Sequence, residues 1–358
     1  MVSDLPKVTV CVPVRNGART IARTLDSVLT QDYNNFEVIV SDNCSTDETA
    51  KIVHGYAKHG VRYYFNPKLV TRGLGESNWN HILSLAKGPL IALYHADDLY
   101  MPTMLRKQAV FLTENPGVSA VFTMSHRIDE DDRPIRMGPV NLPKELQGQS
   151  RFNFSEYFNA VLRHYTFTPV PTMMTRREVI DKVGNFCWQK FITASDVDLY
   201  LRMARQWGPI GVIDELLHCY RVSNWKGAAV FDRGRIDLRD FYTVIDAHLD
   251  DPEEKQVVRP RSLACYKMHH AADEALCAQN FLVLRKVSEA RERLQNAMAL
   301  RHFLTAFNRP KTMVRLLTGL GLLVSINLGI GIFMGRQMSR AYEWVNAWRR
   351  EPLKEEKI

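Results

Sequence analysis

The order of apolar runs in the first ninety-odd residues constrains the fold most. Residues 8–14 read VTVCVPV, a near-continuous, β-branched run of the kind buried on both faces of a sheet. Arg15-Asn16-Gly17 then signals a turn, and residues 18–30 carry Ile21, Leu25, Val28 and Leu29 on one helical face. A second run, residues 36–40, stops at Ser41-Asp42-Asn43, and Ser45-Thr46-Asp47-Glu48 reads as an acidic helix start. A third strand is expected at 61–65, a helix around 78–86 and a fourth strand at 90–94. Strand–helix alternation of this kind requires a parallel sheet with right-handed crossovers.

From about residue 115 the pattern changes. Residues 118–124 and 170–175 look like further strands, separated by the polar, proline-bearing stretch 129–150, and 195–207 reads as a helix with an acidic start. Alternation ends near 225. Residues 236–308 read as helical, interrupted at Asp250-Asp251-Pro252, which places a domain boundary near 225–235. A chain of 358 residues, 46% hydrophobic and 24% charged, is long enough for roughly two units with cores of their own. Disorder, collagen-like repeats and a disulfide-stapled miniprotein are excluded. The six cysteines are scattered without metal-ligand spacing, and the N-terminus lacks a signal-peptide pattern, so a reduced, cytoplasmic chain is expected.

The charge is uneven. Lys+Arg total 47 against 39 Asp+Glu, a net +8, and residues 301–358 hold ten Lys/Arg against four Glu, a net +6. A basic tail on a nearly balanced body points to a local acidic partner. Residues 316–335 are twenty in a row without a charge, the threshold length for a membrane-spanning helix. Five glycines, flanking arginines at both ends and several polar residues suit an interfacial helix at least as well, and a buried core helix also remains open. Nucleic acid is a poor partner, because the positive charge is confined to the tail and no recognised module is visible.

Parallel sheets of this type bind ligands outside the carboxyl ends of their strands. There the chain places Pro13-Val14-Arg15-Asn16, Asp42-Asn43 and His95-Ala96-Asp97-Asp98. Two carboxylates directly after a strand either hold a divalent cation or merely cap the next helix. Taken in order, PVRN, SVLTQDYNNFEVIVSDNCSTDETA, HADD and SDVDLYLRMA resemble glycosyltransferase family 2, the inverting, nucleotide-sugar-dependent enzymes of GT-A fold. The family pattern is met by Pro13 with Asn16, Ser27 with Gln31, and Asp42 with Ser45 and Asp47. The resemblance covers roughly residues 7–225 and is densest over 8–110.

The resemblance implies an α/β GT-A domain over 1–225, Rossmann-like with a mostly parallel sheet. Its nucleotide-sugar half is 1–115 and its acceptor side 116–225; the resemblance does not reach the helical C-terminal region 226–358, whose uncharged run marks 316–335 as a membrane-associating segment. It places Pro13, Val14, Arg15, Asn16, Asp42, Arg72, Asn80 and Ala96 against the nucleotide, with Asp42 on the base. Asp97 matches the second Asp of the metal-binding Asp-x-Asp, and His95 stands where the first is usual, so a Mn or Mg ion is implied but its dependence is open. Asp196 matches the general base, although Ser195 replaces the glutamate before it. Asp98, Trp79 and Arg221 fall on the acceptor or diphosphate side, Trp79 stacking on a sugar or belonging to the core. His218 is a candidate substitute for a metal-binding histidine, where Ser223 stands in this chain.

The leading expectation is a hexosyltransferase-like enzyme at the inner face of the cell membrane. It would move a sugar from a nucleoside-diphosphate-sugar to a lipid-linked or polysaccharide acceptor in bacterial surface-glycan synthesis. The tail would meet an anionic membrane surface, and a homo-oligomer stays open. The alternatives are a sugar-phosphate nucleotidyltransferase, and a non-catalytic nucleotide-sugar-binding scaffold that lost activity through His95 and Ser195.

Overall fold

The apolar runs pair side by side in register. In the computed structural model, which describes residues 5–68, 76–222 and 235–353, β1 (Val8–Val14) lies parallel to β2 (Phe36–Asp42), with Val14 opposite Asp42. β2 pairs in parallel with β3 (Val61–Phe65), and β1 with β4 (Leu90–Leu93). Every residue of β1 is buried, as its unbroken apolar run requires. The crossovers are α1 (Ile21–Leu29), α2 (Thr49–Gly55) and α3 (Glu76–Leu85). α1 buries Ile21, Leu25 and Val28, each contributing about 1.5–3 kcal/mol. A charge at Leu25 would break that face.

Beyond β4 come β5 (Leu99–Tyr100), α4 (Met104–Glu114), β6 (Ala120–Ile128), β7 (Arg151–Phe152), α5 (Phe154–His164), β8 (Met173–Arg176), α6 (Arg177–Val183), α7 (Ser195–Gln206) and β9 (Ile210–Arg221). Among the described residues the sheet runs β3-β2-β1-β4-β8-β6-β9-β5, with β7 on β9. It is parallel from β3 to β4. β8 then enters antiparallel to both β4 and β6, and β5 and β7 lie antiparallel on β9. The strand expected from 170 starts only at Met173, because Val170–Thr172 form a 3₁₀ turn around Pro171, which cannot donate to a ladder. β6 pairs in parallel with β9. As a result β1, β2, β4, β6 and β9 all end on one edge of the sheet.

The chain divides into two compact units, one drawn from Met1–Phe158, Thr166–Val222 and Pro352–Ile358, the other from Asn159–Tyr165 and Ser223–Glu351. The second is helical: α8 (Asp240–Leu249), α9 (Pro252–Gln256), α10 (Pro260–Val283), α11 (Val287–Ala297), α12 (Leu300–Ala306), α13 (Pro310–Asn327) and α14 (Gly331–Arg349). The Asp250-Asp251-Pro252 interruption is a helix start. The Asp251 carboxylate accepts the amides of Glu253 and Glu254, and Pro252 takes the first turn. α10 is the centre of this unit, and two glycines let later helices approach it. A Cβ at Gly319 would stand 2.8 Å from Ala275 Cβ, and one at Gly335 2.7 Å from Leu282 Cβ.

The uncharged run 316–335 is not one helix. It breaks at residues 328–330, where Gly329 adopts φ +76°, a conformation open to glycine. Among the described residues no helix is long and apolar enough to cross a membrane, which overturns the spanning alternative.

Candidate active site

The loops after β1 and β2 are stapled together by the polar residues of the sequence pattern. Asn16 and Cys44 both take left-handed backbone conformations, φ +51° and +57°. The Asn16 amide N–H donates to Ser45 Oγ at 2.8 Å, and Asn16 Oδ1 accepts the Thr46 N–H at 2.8 Å. Gly17 N–H donates to Thr49 Oγ1 at 2.9 Å and Ala18 N–H to Asp47 Oδ2 at 3.0 Å. Burial works against the Asp47 charge, but the Thr49 hydroxyl and the amides of Ala18 and Thr49 hold its carboxyl below the usual range. Ser45 and Asp47 thus shape the loop. Pro13 and Val14 are buried in the sheet, while Arg15 and Asn16 are exposed at its edge.

Asp42 ends β2 and is buried. Its Oδ1 accepts the Ser45 N–H at 2.9 Å and its Oδ2 the Tyr63 hydroxyl at 2.9 Å. Burial, and then the Asp42 carboxylate, push the Tyr63 phenol up to about 12, so it stays a donor. Beneath Asp42, Ser41 Oγ donates to Asn78 Oδ1 at 2.7 Å and meets His81 Nδ1 at 2.9 Å, while Asn78 Nδ2 returns a bond to the Ser41 carbonyl. Tyr63, Asn78 and His81 carried no motif signal. Only their long-range partners reveal them.

The turn after β4 is held from three sides. The hydroxyls of Thr20 and Thr24 on the α1 side both donate to the Ala96 carbonyl at 3.0 Å, and Thr24 also reaches the Asp98 carbonyl at 2.8 Å. Thr20 precedes α1 but makes no cap bond, its hydroxyl being diverted to this turn. Ala96 therefore contributes through its carbonyl, facing α1. The Tyr100 hydroxyl accepts the His95 N–H at 2.6 Å, and the Tyr100 ring stacks on Tyr94 at 3.8 Å.

Asp98 is 1% exposed, with its oxygens committed to the protein. Oδ1 accepts the Arg221 N–H at 2.8 Å, and Oδ2 faces Nε2 of the fully buried His218 at 3.0 Å. Burial alone would raise its carboxyl, but His218, then His95 and the Arg221 amide, hold it below the ordinary range. His218 Nδ1 in turn meets Ser125 Oγ at 2.8 Å. The idea that His218 replaces a metal-binding histidine is thereby corrected, since both ring nitrogens are engaged inside the core. Arg221, expected on the diphosphate side, is also buried. Its guanidinium brackets the carbonyls of Asp97 and Asp129, each at 2.7 Å, and pairs with Asp132.

Trp79 is 7% exposed, its ring 5.5 Å from that of His95 and edge-on to Phe186. Of the two expectations for it, the core one fits, with His95 resting on its face. Asn80 spends its amide on Phe186, donating to the carbonyl at 2.8 Å and accepting the N–H at 3.0 Å. It clamps the turn before α7. Arg72 and Ser223 lie outside the described residues.

Ligand atoms of His95, Asp97 and Asp98 lie within 4.8 Å of one another, a grouping able to hold a metal ion. With Asp98 occupied by His218 and Arg221, the donor set reduces to the Asp97 carboxylate and the His95 imidazole. The Asp97 carboxylate suits either Mn or Mg, whereas the His95 nitrogen suits Mn better than Mg, whose shell is built from oxygens.

Asp196 stands half-buried in the first turn of α7. Burial raises the phenols of Tyr157 and Tyr200, and the Asp196 charge adds to both shifts. Ser195 is fully buried, which suits a small hydroxyl and gives a glutamate no outlet to solvent. Asp198 is a structural residue, its Oδ2 accepting from Arg202 Nε at 2.8 Å.

Comparisons with known proteins agree with this geometry. The model of glycosyl transferase family 2 matches residues 9–184. EpsE of Bacillus subtilis (strain 168), named as a glycosyltransferase, is 38% identical over 128 residues, 35% of this chain and 45% of the relative, so under half of that protein is matched. TuaG of the same organism, named for teichuronic acid biosynthesis, is 31% identical over 230 residues, 62% of this chain and 84% of TuaG. The crystal structure of Staphylococcus aureus TarS 1–349 with UDP superposes with a TM-score of 0.56 at 20% identity, covering 97% of this chain and 94% of the other. That likeness establishes the GT-A fold. With the family pattern at β1, β2 and β4 and the match to TuaG, the chain belongs to glycosyltransferase family 2.

Proposed function

We propose that the chain transfers a hexosyl group from a nucleoside-diphosphate sugar, a uridine donor first, to a hydroxyl of a lipid-linked or polysaccharide acceptor, inverting the anomeric centre. The observation carrying this reading is that Asp42 and the braced His95–Asp98 turn end strands β2 and β4, both hydrogen-bonded to β1. In this reading residues 1–115 hold the donor and 116–225 face the acceptor. Asp42 accepts from the base, with the backbone from Pro13 to Asn16 beside it. Asp97 and His95 hold a divalent ion, which when bound neutralises charge on the diphosphate. Asp196 takes the proton of the acceptor hydroxyl as its oxygen bonds to the anomeric carbon and the bond to the diphosphate breaks.

The uridine preference is supported by TarS structures solved with UDP and with UDP-GlcNAc, and the polysaccharide acceptor by the name of TuaG. The region 226–358 is read as serving this reaction at the inner face of the cell membrane. The test is transfer and donor hydrolysis by Asp196→Ala with UDP-sugars. The reading requires loss of transfer, and an unchanged rate would remove Asp196 as the base.

A further inference from the structure

We propose that the outward face of α13 and α14 docks the protein on an anionic phospholipid surface, lying in the interface without crossing it. This deepens the membrane-side reading above and rests on it for its setting. α13 is apolar on two sides. Leu316, Gly319, Leu322 and Ile326 are buried on the side of α10. Val314 (62% exposed), Leu317, Gly321, Val324 and Leu328 (69%) recur at helical spacing on the other side, with no charged residue among them. An uncovered stripe of this length marks an interaction surface, since a helix apolar all round needs an apolar neighbour on each side.

α14 continues the surface. Gly331 and Gly335 are buried, Gly331 against Ile326 and Gly335 against Leu282 of α10. Opposite them, helical spacing aligns Phe333 (61% exposed), Arg340, Trp344 (71%) and Trp348 along one stripe, with exposed Arg336 at its edge. Both helices lie on α10, so both stripes open away from it. Exposed tryptophan beside arginine suits the headgroup level of a bilayer.

Charge selects the occupant. Residues 301–350 hold eight Lys/Arg and a single acid, Glu343. A second copy of this face would bring the same positive field and be repelled, whereas an anionic bilayer offers apolar depth under negative headgroups.

The test is flotation of the full chain with vesicles of phosphatidylcholine alone or mixed three to one with phosphatidylglycerol. The protein is expected to float with the anionic vesicles only and to lose more than about tenfold in binding at high salt, as surface charge is screened. Arg336→Glu with Arg340→Glu, and separately Phe333→Ser with Trp344→Ser, should each weaken binding by at least about tenfold while the UDP-induced rise in melting temperature persists. The inference is overturned if the full chain floats equally with neutral vesicles, fails to float with anionic ones, or floats undiminished in both double variants. It is also overturned if the apolar pair instead dissolves a dimer seen by ultracentrifugation of a chain that binds no vesicle. Failure of UDP to stabilise the unaltered chain would count against the transferase reading and leave the flotation result standing.

Discussion

His218 meets Asp98 across 3.0 Å, Nε2 to Oδ2, with both side chains shut away from solvent. The same carboxylate receives the Arg221 amide, and the Arg221 guanidinium returns to the Asp97 carbonyl. The turn that presents Asp97 is therefore held by a buried charge. Removing the side chain that faces this buried carboxylate costs about 1–3 kcal/mol, because its oxygen is left without that partner. His218→Leu should lower the melting temperature accordingly and weaken donor binding. His218→Gln, which keeps a donor, should recover part of both. Thermal melts with and without UDP check this, and a His218→Leu protein as stable as the parent would contradict it.

Asp196 and Asp198 sit two residues apart on α7 and are expected to fail differently. Asp196→Asn should cut turnover by about 10²–10⁴ while leaving UDP binding intact, the loss expected for a general base. Asp198→Asn weakens the Arg202 contact and should cost about 2 kcal/mol of stability with turnover of the folded enzyme little changed. Steady-state kinetics paired with melts separates the two.

His95 supplies nitrogen where the family commonly supplies a carboxylate. His95→Asp adds a negative oxygen ligand beside Asp97 and should tighten Mn binding by about tenfold, an effect of roughly 1.4 kcal/mol. Asp97→Ala should abolish any Mn-dependent gain in UDP affinity. Calorimetric titration of UDP with and without Mn reads both.

Acid should loosen the helical unit. His269 is buried, and burial lowers its pKa from 6.5 to about 4, with Arg309 adding to the shift while the bond to the Arg163 carbonyl opposes it. The unfolded chain takes up this proton near pH 6.5, the folded one only near pH 4. Stability from His269 is therefore complete above pH 6.5 and falls as pH drops toward 4, by on the order of 3 kcal/mol. Burial lowers His302 in the same direction. Urea melts between pH 7.5 and 4.5 should show the fall, and His269→Gln should flatten it.

The parallel half of the sheet was legible because each strand there is a local apolar run between turn residues, and the donor-side pattern sits where those runs stop. What escaped depends on pairing over distance. β5 is two residues long, and β8 takes its antiparallel place between β4 and β6 from tertiary contacts alone. Asp98 and His218 stand 120 residues apart, so no spacing rule joins them, and Arg221, expected on the acceptor or diphosphate side, shows its bracing role only once its three oxygen partners are seen. The run 316–335 misled through length. A count of uncharged residues cannot register the left-handed glycine at 329 that splits it.

The edge formed by Asp42 and Asp97 is proposed as the nucleotide-sugar site. Thermal melting with UDP, GDP and dTDP, each with and without Mn, tests it most directly. At a ligand concentration one hundred times Kd, binding adds about 2.7 kcal/mol to folded-state stability. UDP should stabilise the unaltered chain, Mn should enhance the effect, and Asp42→Ala and Asp97→Ala should each diminish it. Stabilisation by none of the three nucleotides, or equal stabilisation in both variants, would contradict the proposal.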